Sequence, residues 1–280
     1  MVVGASGIAG RYLIDRLMLD GADFAAVSHS AEGGRALKAH GVRSVLRADF
    51  DDDSSLWQAF AGARAVYAIP PALDQREDEL VINAVRAAAE AGVKRFVYHS
   101  VLHPFTPALR NHMRKARAEA AVRDSGVRWT ILQPSMFAQV VIAMFAHREP
   151  GVVAVPFDFD VPLAVLDLAD LADVGARVLA EDDHDYATYE LAGPLTTIAN
   201  MMTAVGVHRG VELRPEAVSP TEAPLPPAAR RQPMAAADMI STFAHYDEHG
   251  FRGNVNVLTH LLGRAPATFE QVVARELPRP

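Results

Sequence analysis

The sequence predicts an α/β fold built on a doubly wound parallel sheet, followed by a small C-terminal α+β lobe. Three observations carry this. Through about residue 135, short apolar runs alternate with stretches of helical period, the pattern of strands joined by crossover helices. Gly21, Gly41, Gly62, Gly92 and Gly126 each close a helical stretch just before the next apolar run. The first apolar run leads directly into a glycine-rich turn, Gly4-Ala5-Ser6-Gly7-Ile8-Ala9-Gly10.

In chain order, strands are expected at residues 1–3, 24–27, 42–46, 65–69, 96–99 and 129–132. Helices are expected near 8–20, 31–40, 53–61, 74–91 and 109–125, the fourth with Leu80, Ala84, Val85 and Ala88 on one face. The first strand is short beside the usual five or six residues. Either it frays, or the chain starts a few residues upstream. After Pro134 the pattern loosens. Short strands broken by Pro156 and Pro162 fill 151–166, and a helix opens at Leu166-Asp167-Leu168-Ala169-Asp170 with Asp167 or Asp170 as N-cap. A strand is expected at 187–191 and helices near 234–248 and 267–276. Between them Pro215, Pro220, Pro224, Pro226 and Pro227 mark residues 215–228 as a surface connection. The reading divides the chain into a dinucleotide-binding domain over 1–150 and a smaller substrate-binding lobe over 151–280, interleaved with it.

Composition narrows the function. Half of the 280 residues are hydrophobic, enough for a large core. Lys and Arg number 27 against 34 Asp and Glu, a formal net charge of −7, and no basic stripe is present. Direct nucleic-acid binding is therefore not expected. No stretch of about 18 apolar residues is present, so no membrane span is expected. The glycine turn comes too early to leave room for a signal peptide. With no cysteine, disulfides, thiolate metal sites and thiol redox chemistry are excluded. A soluble cytoplasmic protein is the expectation.

The turn has the form G-x-x-G-x-x-G. A strand that turns sharply into a helix needs glycine, and a pyrophosphate lying against the backbone tolerates no side chain. The helix opening at Ile8 and Ala9 presents free N–H groups and a partial positive charge to phosphate. Ser6 can add a hydroxyl, and Gly10 allows close packing on the sheet. NAD or NADP is the expected ligand. An acid at the end of the second strand would favour NAD. Here Val27-Ser28-His29-Ser30 stands instead, with Arg35 and Lys38 beyond, so NADP is favoured and NAD remains possible. His29 and Arg35 are candidates for a 2′-phosphate, with Ser28 and Ser30 as hydrogen-bonding neighbours; the plainer role for Ser30 is a helix cap. Asp49, after the third strand, is placed to meet the adenine amino group with Phe50 beside the ring; Asp51–Asp53 read as helix caps. Ile69-Pro70-Pro71 would form a rigid wall along the cofactor.

Several segments together resemble the NmrA-like branch of the atypical short-chain dehydrogenases/reductases. They are the turn, Asp49-Phe50, the run Phe96-Val97-Tyr98-His99-Ser100-Val101-Leu102-His103-Pro104, His112-x-x-Lys115-x-x-x-Glu119, and Trp129-Thr130-Ile131-Leu132-Gln133-Pro134. The later Leu166–Asp170, Tyr189-Glu190-Leu191-Ala192-Gly193-Pro194 and Leu262-Gly263-Arg264 segments agree. The resemblance implies a Rossmann domain with a small C-terminal substrate lobe. It implies either an NADPH-dependent quinone, enone or carbonyl reductase or a protein that only senses the nucleotide and regulates a partner.

The resemblance also places Lys115 beside the nicotinamide ribose, where an ammonium can orient the cofactor and stabilise a developing oxyanion. The alternative is a solvated lysine paired with Glu119. Many short-chain dehydrogenases carry a tyrosine four residues before this lysine; here it is Asn111. His112 is a candidate acid, or a surface helix histidine. Ser100 falls among nicotinamide-side contacts, and Pro134 and Phe137 at the nicotinamide floor and pocket entrance. Met136, Phe137, Met144 and Phe145 are candidates to line an apolar substrate pocket, with ordinary core as the alternative for Met144 and Phe145. His245 and His249 lie one helical turn apart, but no third ligand is evident and no metal is expected. No nucleophile elbow is present, so hydrolysis is not expected. The leading expectation is NADPH-dependent reduction of a small apolar carbonyl, quinone or enone compound; the regulatory sensor is the alternative.

Overall fold

The structure, a computed structural model, describes residues 1–156, 158–226 and 229–278. Its first half follows the expected alternation: β1 (Val2–Val3), α1 (Ile8–Leu19), β2 (Ala25–Ser28), α2 (Ala31–Ala39), β3 (Ser44–Arg47), α3 (Asp53–Phe60), β4 (Ala65–Ala68), α4 (Glu77–Glu90), β5 (Arg95–His99), α5 (Arg110–Asp124) and β6 (Arg128–Pro134). The rest comprises β7 (Met136–Phe137), α6 (Ala138–Phe145), β8 (Gly151–Val155), β9 (Leu163–Leu166), α7 (Leu168–Ala180), β10 (Ala187–Leu191) and β11 (Leu195–Thr196). It ends in α8 (Ile198–Arg209), β12 (Leu213–Ala217), α9 (Pro233–His249), α10 (Asn256–Leu262) and α11 (Phe269–Glu276). Among the described residues, no helix is long and apolar enough to cross a membrane.

The central sheet has the order β10-β6-β5-β4-β1-β2-β3. Strands β1 to β6 pair in parallel throughout. The chain winds outward from β1 to β3, then crosses back to lay β4 on the other side of β1, so the winding reverses between β1 and β4. This is the doubly wound α/β fold that the alternation predicts. Covered on both faces, the central strands are apolar without alternation: Val2, Val3, Val66, Tyr67, Ala68, Phe96, Val97 and Tyr98 are all buried. On one face Leu56, Phe60, Leu80, Val81, Ala84, Val85 and Ala88 join Phe96 and Ile131 in a core cluster. On the other, α7 comes close at Gly175: a Cβ there would lie 3.1 Å from Leu13 Cδ1 and 3.2 Å from Tyr67 Cε2.

The chain forms two compact units. One contains residues 1–105, 112–133 and 171–189, and the other residues 106–111, 134–170 and 190–280. In the second, β11-β9-β7 form a small sheet and β8 pairs in parallel with β12. Its acidic motif has a structural use. Asp167 accepts from Ala169 N at 3.0 Å and from Arg275 at 2.7 and 2.8 Å, while Asp170 takes Arg264 at 2.7 Å and Ala267 N at 2.8 Å. Of the two candidate caps, Asp167 caps α7 and Asp170 lies inside it.

Two local expectations are corrected. The proline-rich connection starts later than expected, because Pro215 belongs to β12, opposite Val153. A two-stranded ribbon has only edge strands, where a proline without an N–H is tolerated. Pro227 lies outside the described residues. The short first strand is also not frayed. Met1 O accepts from Tyr67 N at 2.8 Å and Val3 O from Ile69 N at 3.1 Å, while Val2 and Val3 pair with Ala26 and Val27 on the other side. Helices α6 and α8 were not anticipated. In α6 apolar residues run all round, and in α8 exposed Val207 breaks the stripe formed by buried Met201, Met202 and Val205, so neither shows the one-faced pattern that marks a surface helix.

Arg95 opens β5 and is 3% exposed. It donates to Asp185 at 2.8 Å, Asp182 at 3.0 Å and the Glu181 carbonyl at 2.7 Å, tying β5 to the C-terminal end of α7. Arg95→Met is expected to destabilise the protein by roughly 2 kcal/mol, because Asp185 keeps only Arg128 and the Glu181 carbonyl loses its charged donor. Urea unfolding measures this as a lower midpoint at an unchanged slope.

Candidate functional site

Ligands of open α/β sheets bind beyond the carboxyl ends of the strands, where the winding reverses. In this fold that place is where the chain leaves β1 at Gly4 and β4 at Ile69. Gly4 has φ +77°, and a Cβ on it would run into the Ile69 carbonyl oxygen. Gly10 is equally constrained, since its Cβ would lie 2.5 Å from Gly4 O and 2.8 Å from Ala5 Cα. Gly7 differs. It is the N-cap of α1 in extended conformation, and a Cβ there meets only Gly4 O, at 3.3 Å. Packing therefore requires Gly4 and Gly10, whereas Gly7 leaves open the space in front of the helix. The first turn of α1 has no side-chain cap and no acidic residue, and Ser6 and Ile8 beside it are exposed, with Ala9 half-buried. This cradle fits an anionic group at the helix N-terminus.

A second cluster forms where β2 meets α2. Ser30 caps α2 by accepting from Gly33 N at 3.0 Å, and Ser28 Oγ donates to Ser30 O at 3.1 Å. A Cβ on Gly33 would stand 2.5 Å from Ser28 Oγ, 3.1 Å from Ser30 Oγ and 3.2 Å from Ser6 Oγ. Three hydroxyls, from the glycine turn, the strand end and the cap, thus converge on one glycine. His29 and Arg35 are exposed nearby in sequence, as is Glu32 in the first turn of α2. Asp49 is exposed and accepts from Asp51 N at 3.2 Å, while Asp52 caps α3. Phe50, expected beside a ring, is buried at 7% exposure in a cluster with Leu56, Phe60 and Leu80. Pro70 is buried and Ile69 half-buried beside Gly4.

Charged groups gather where β4, β5 and β6 end. Lys115 Nζ on α5 pairs with the carboxylate of Glu77 at the start of α4. Glu77 is 1% exposed and Lys115 18%. Burial holds the Glu77 carboxyl above its ordinary range, against the pull of Lys115 and Arg114. Lys115 does not pair with Glu119, as the i,i+4 alternative required. Glu119 is itself buried and accepts from Ser100 Oγ at 2.6 Å, Gln133 Nε2 at 2.7 Å and Arg123 Nη2 at 2.9 Å. The Ser100 hydroxyl proton is therefore committed to Glu119. His99, at the end of β5, is fully buried with Nδ1 3.3 Å from the Tyr67 hydroxyl; burial first, and the Lys115 charge second, push its imidazole down to about 3. The buried Tyr98 hydroxyl has no well-aligned hydrogen-bond partner.

His112 is buried, not a surface histidine. Its Nδ1 lies 3.0 Å from the His103 carbonyl. A carbonyl only accepts, so Nδ1 carries a proton. His103 takes a positive φ of 54° to present that carbonyl.

Asn111, Pro134, Phe137 and Phe145 belong to the second unit. Asn111 donates to Thr242 Oγ1 at 3.3 Å. Pro134 is buried at the end of β6, Phe137 is half-buried in β7 opposite Leu166, and Phe145 is core at 1% exposure. Glu181, Asp183 and His184 place potential metal ligands within 4.8 Å of one another, but Arg177 and Tyr189 already hydrogen-bond Glu181 and His184. Sequence reasoning missed Glu77 and the Gly33 cluster. The acidic run Glu77-Asp78-Glu79 looks like an ordinary first helical turn, and only the fold brings α4 and α5 together.

The model of the NmrA-like family matches residues 1–256. Among curated relatives, quinone oxidoreductase 2 of Escherichia coli is 29% identical over 72% of this chain and 72% of its own length. The (4-alkanoyl-5-oxo-2,5-dihydrofuran-3-yl)methyl phosphate reductase of Streptomyces griseus is 31% identical over 73% of this chain and 71% of its own. A solved NADPH-dependent quinone oxidoreductase of Escherichia coli, complexed with NADPH, superposes with a TM-score of 0.82 at 25% identity, covering 98% of both chains.

Two outcomes follow from the geometry. Gly10→Ala is expected to lower stability by about 1–3 kcal/mol through backbone overpacking, and Gly7→Ala by clearly less; chemical denaturation compares them. His99 supplies a pH dependence. Its folded pKa lies below the unfolded value of 6.5, so its contribution is complete above that pH and is lost as pH falls towards 3. The loss is on the order of 3 kcal/mol between pH 7 and pH 4. His99→Gln is expected to flatten the acid arm of the stability curve; parallel curves for the two proteins would refute the assignment.

Proposed function

The chain belongs to the NmrA-like family, and on that premise we propose that it is an NADPH-dependent reductase of a small quinone, enone or carbonyl compound. The observation that carries the reading is the bare turn at the reversal of the sheet. Gly7 is unneeded by packing, yet it keeps the uncapped N-terminus of α1 clear of side chains. A pyrophosphate fits that description. The reductase relatives and the NADPH-bound structural neighbour support the catalytic reading over a purely sensory one.

The residues then divide the work. Gly4, Gly7, Gly10 and the first N–H groups of α1, from Ile8 and Ala9, hold the pyrophosphate. Ser6 offers a hydroxyl, with His29 and Arg35 offering donors or charge, to a 2′-phosphate; this is the basis for preferring NADP, with NAD bound more weakly. Asp49 offers its exposed carboxylate to the adenine amino group. The bound dinucleotide supplies a hydride from its nicotinamide ring. Negative charge then develops on the acceptor oxygen, and the compact ammonium of Lys115 is suited to stabilise it. Asn111 cannot donate as a tyrosine would. His112, whose Nε2 can carry a second proton, is the further candidate acid. A neutral, conjugated acceptor suits a site whose lysine is already paired to Glu77.

NADPH oxidation against a panel of quinones and enones tests the reading. Turnover is expected, with Lys115→Ala lowering kcat/KM by about 10²-fold or more, the range seen for loss of one oxyanion donor. Gly7→Ala is expected to weaken NADPH binding at least tenfold in titration while the fold persists. Tight NADPH binding with no oxidation across the panel would overturn the enzyme reading in favour of a sensor.

A further inference from the structure

We propose that Glu77 is the positioning residue for Lys115, its carboxylate at the first turn of α4 fixing the ammonium at the ends of β4 and β5. The inference rests on the reductase reading for its catalytic consequence, but the pairing itself is a property of the free protein. Stability alone does not explain the pair. Burying a carboxylate at 1% exposure carries a desolvation cost that a single lysine rarely repays, and a well-packed apolar pair in its place is often as stable. The carboxylate sits where the α4 dipole favours an anion. It reaches Lys115 from a different helix, so the lysine is clamped between elements.

The clamp answers a need of this sequence. A free lysine has four rotatable bonds and about 2 kcal/mol of rotamer entropy to lose. Its own helix offers no hydroxyl four residues earlier, because Asn111 stands there. The neighbouring acid on its own helix, Glu119, is occupied by Ser100, Gln133 and Arg123. Glu77 is what remains to hold the ammonium. An ammonium has three N–H donors; one spent on Glu77 leaves two to meet a cofactor ribose and an acceptor oxygen.

The surroundings fix the sign of the electrostatics. Glu77 is faced by Lys115 and Arg114 from α5, by Asp74 from the turn before α4 and by Tyr98 from β5. Lys115 is faced by Glu77 and by His99 of β5, which stays neutral. Glu77 is thus the anion that faces the Lys115 ammonium, and removing it withdraws an opposite charge from beside a largely buried cation, a change that favours the neutral amine.

The test has two arms. In the cofactor-free protein, the acetylation rate of Lys115 is followed against pH by peptide mass spectrometry. In Glu77→Gln its midpoint is expected to fall by at least one pH unit; an unchanged midpoint overturns the proposal whether or not the protein turns over. In the turnover arm, Glu77→Gln is expected to lower kcat about tenfold or more and to move the alkaline limb of kcat to lower pH. KM for NADPH stays within about threefold. A variant that loses thermal stability but keeps kcat and its alkaline limb shows a merely structural role and overturns it. If Glu77→Gln does not fold, Glu77→Asp withdraws the carboxylate by one methylene. A shifted acetylation midpoint or a lowered kcat then supports the proposal, and neither change overturns it. Wild-type protein inert across the whole substrate panel would count against the reductase reading, while the acetylation arm still decides the role of Glu77.

Discussion

The carbonyl of Ile69 occupies the place where any side chain on Gly4 would have to go, and the site depends on that contact. Strand β1 contributes only Val2 and Val3, yet it is hydrogen-bonded to β2 on one side and β4 on the other. With so short a strand at the centre of the sheet, the turn after it must leave at once and stay close to the neighbouring strand end. Glycine at positive φ does both. The bare surface this creates is also where the sheet reverses its winding, so one backbone constraint makes both the fold and the anion cradle.

Beyond the cradle, the site is organised by two buried carboxylates with separate tasks. Glu119 binds the ends of β5 and β6 together through Ser100 and Gln133 and is satisfied by neutral donors and Arg123. Glu77 has a cation, Lys115. The first arrangement is a rigid support and the second a held charge. A buried hydrogen-bond network of this kind is valuable only when its members are satisfied. That explains why Ser100, an attractive cofactor contact from its position alone, is committed to the protein.

The expectations divide along the same line. Where a residue's neighbours are local, the sequence was informative: strands β1 to β6, the helices between them, Ser30 and Asp52 as caps, and the glycine spacing all depend on a few adjacent residues. Where the neighbours come from distant segments, it was not. Spacing on one helix offers Glu119 as the alternative partner of Lys115, whereas its actual partner is 38 residues away in sequence. Local spacing leaves His112 either a candidate acid or a surface histidine, and its burial against the His103 carbonyl is visible only in the fold.

The sequence by itself determined the α/β alternation, the glycine turn, the absence of cysteine chemistry and the replacement of a tyrosine by Asn111, because each is written in residue type and short spacing. Only the tertiary structure decided that Gly7 is dispensable for packing while Gly4 and Gly10 are not. It alone brought Ser6, Ser28 and Ser30 around Gly33 and drew α4 against α5 so that Glu77 holds Lys115. Those facts rest on distances between segments far apart in the chain, set by the order in which strands pair and by the volume of the core between them. Local periodicity carries no record of either.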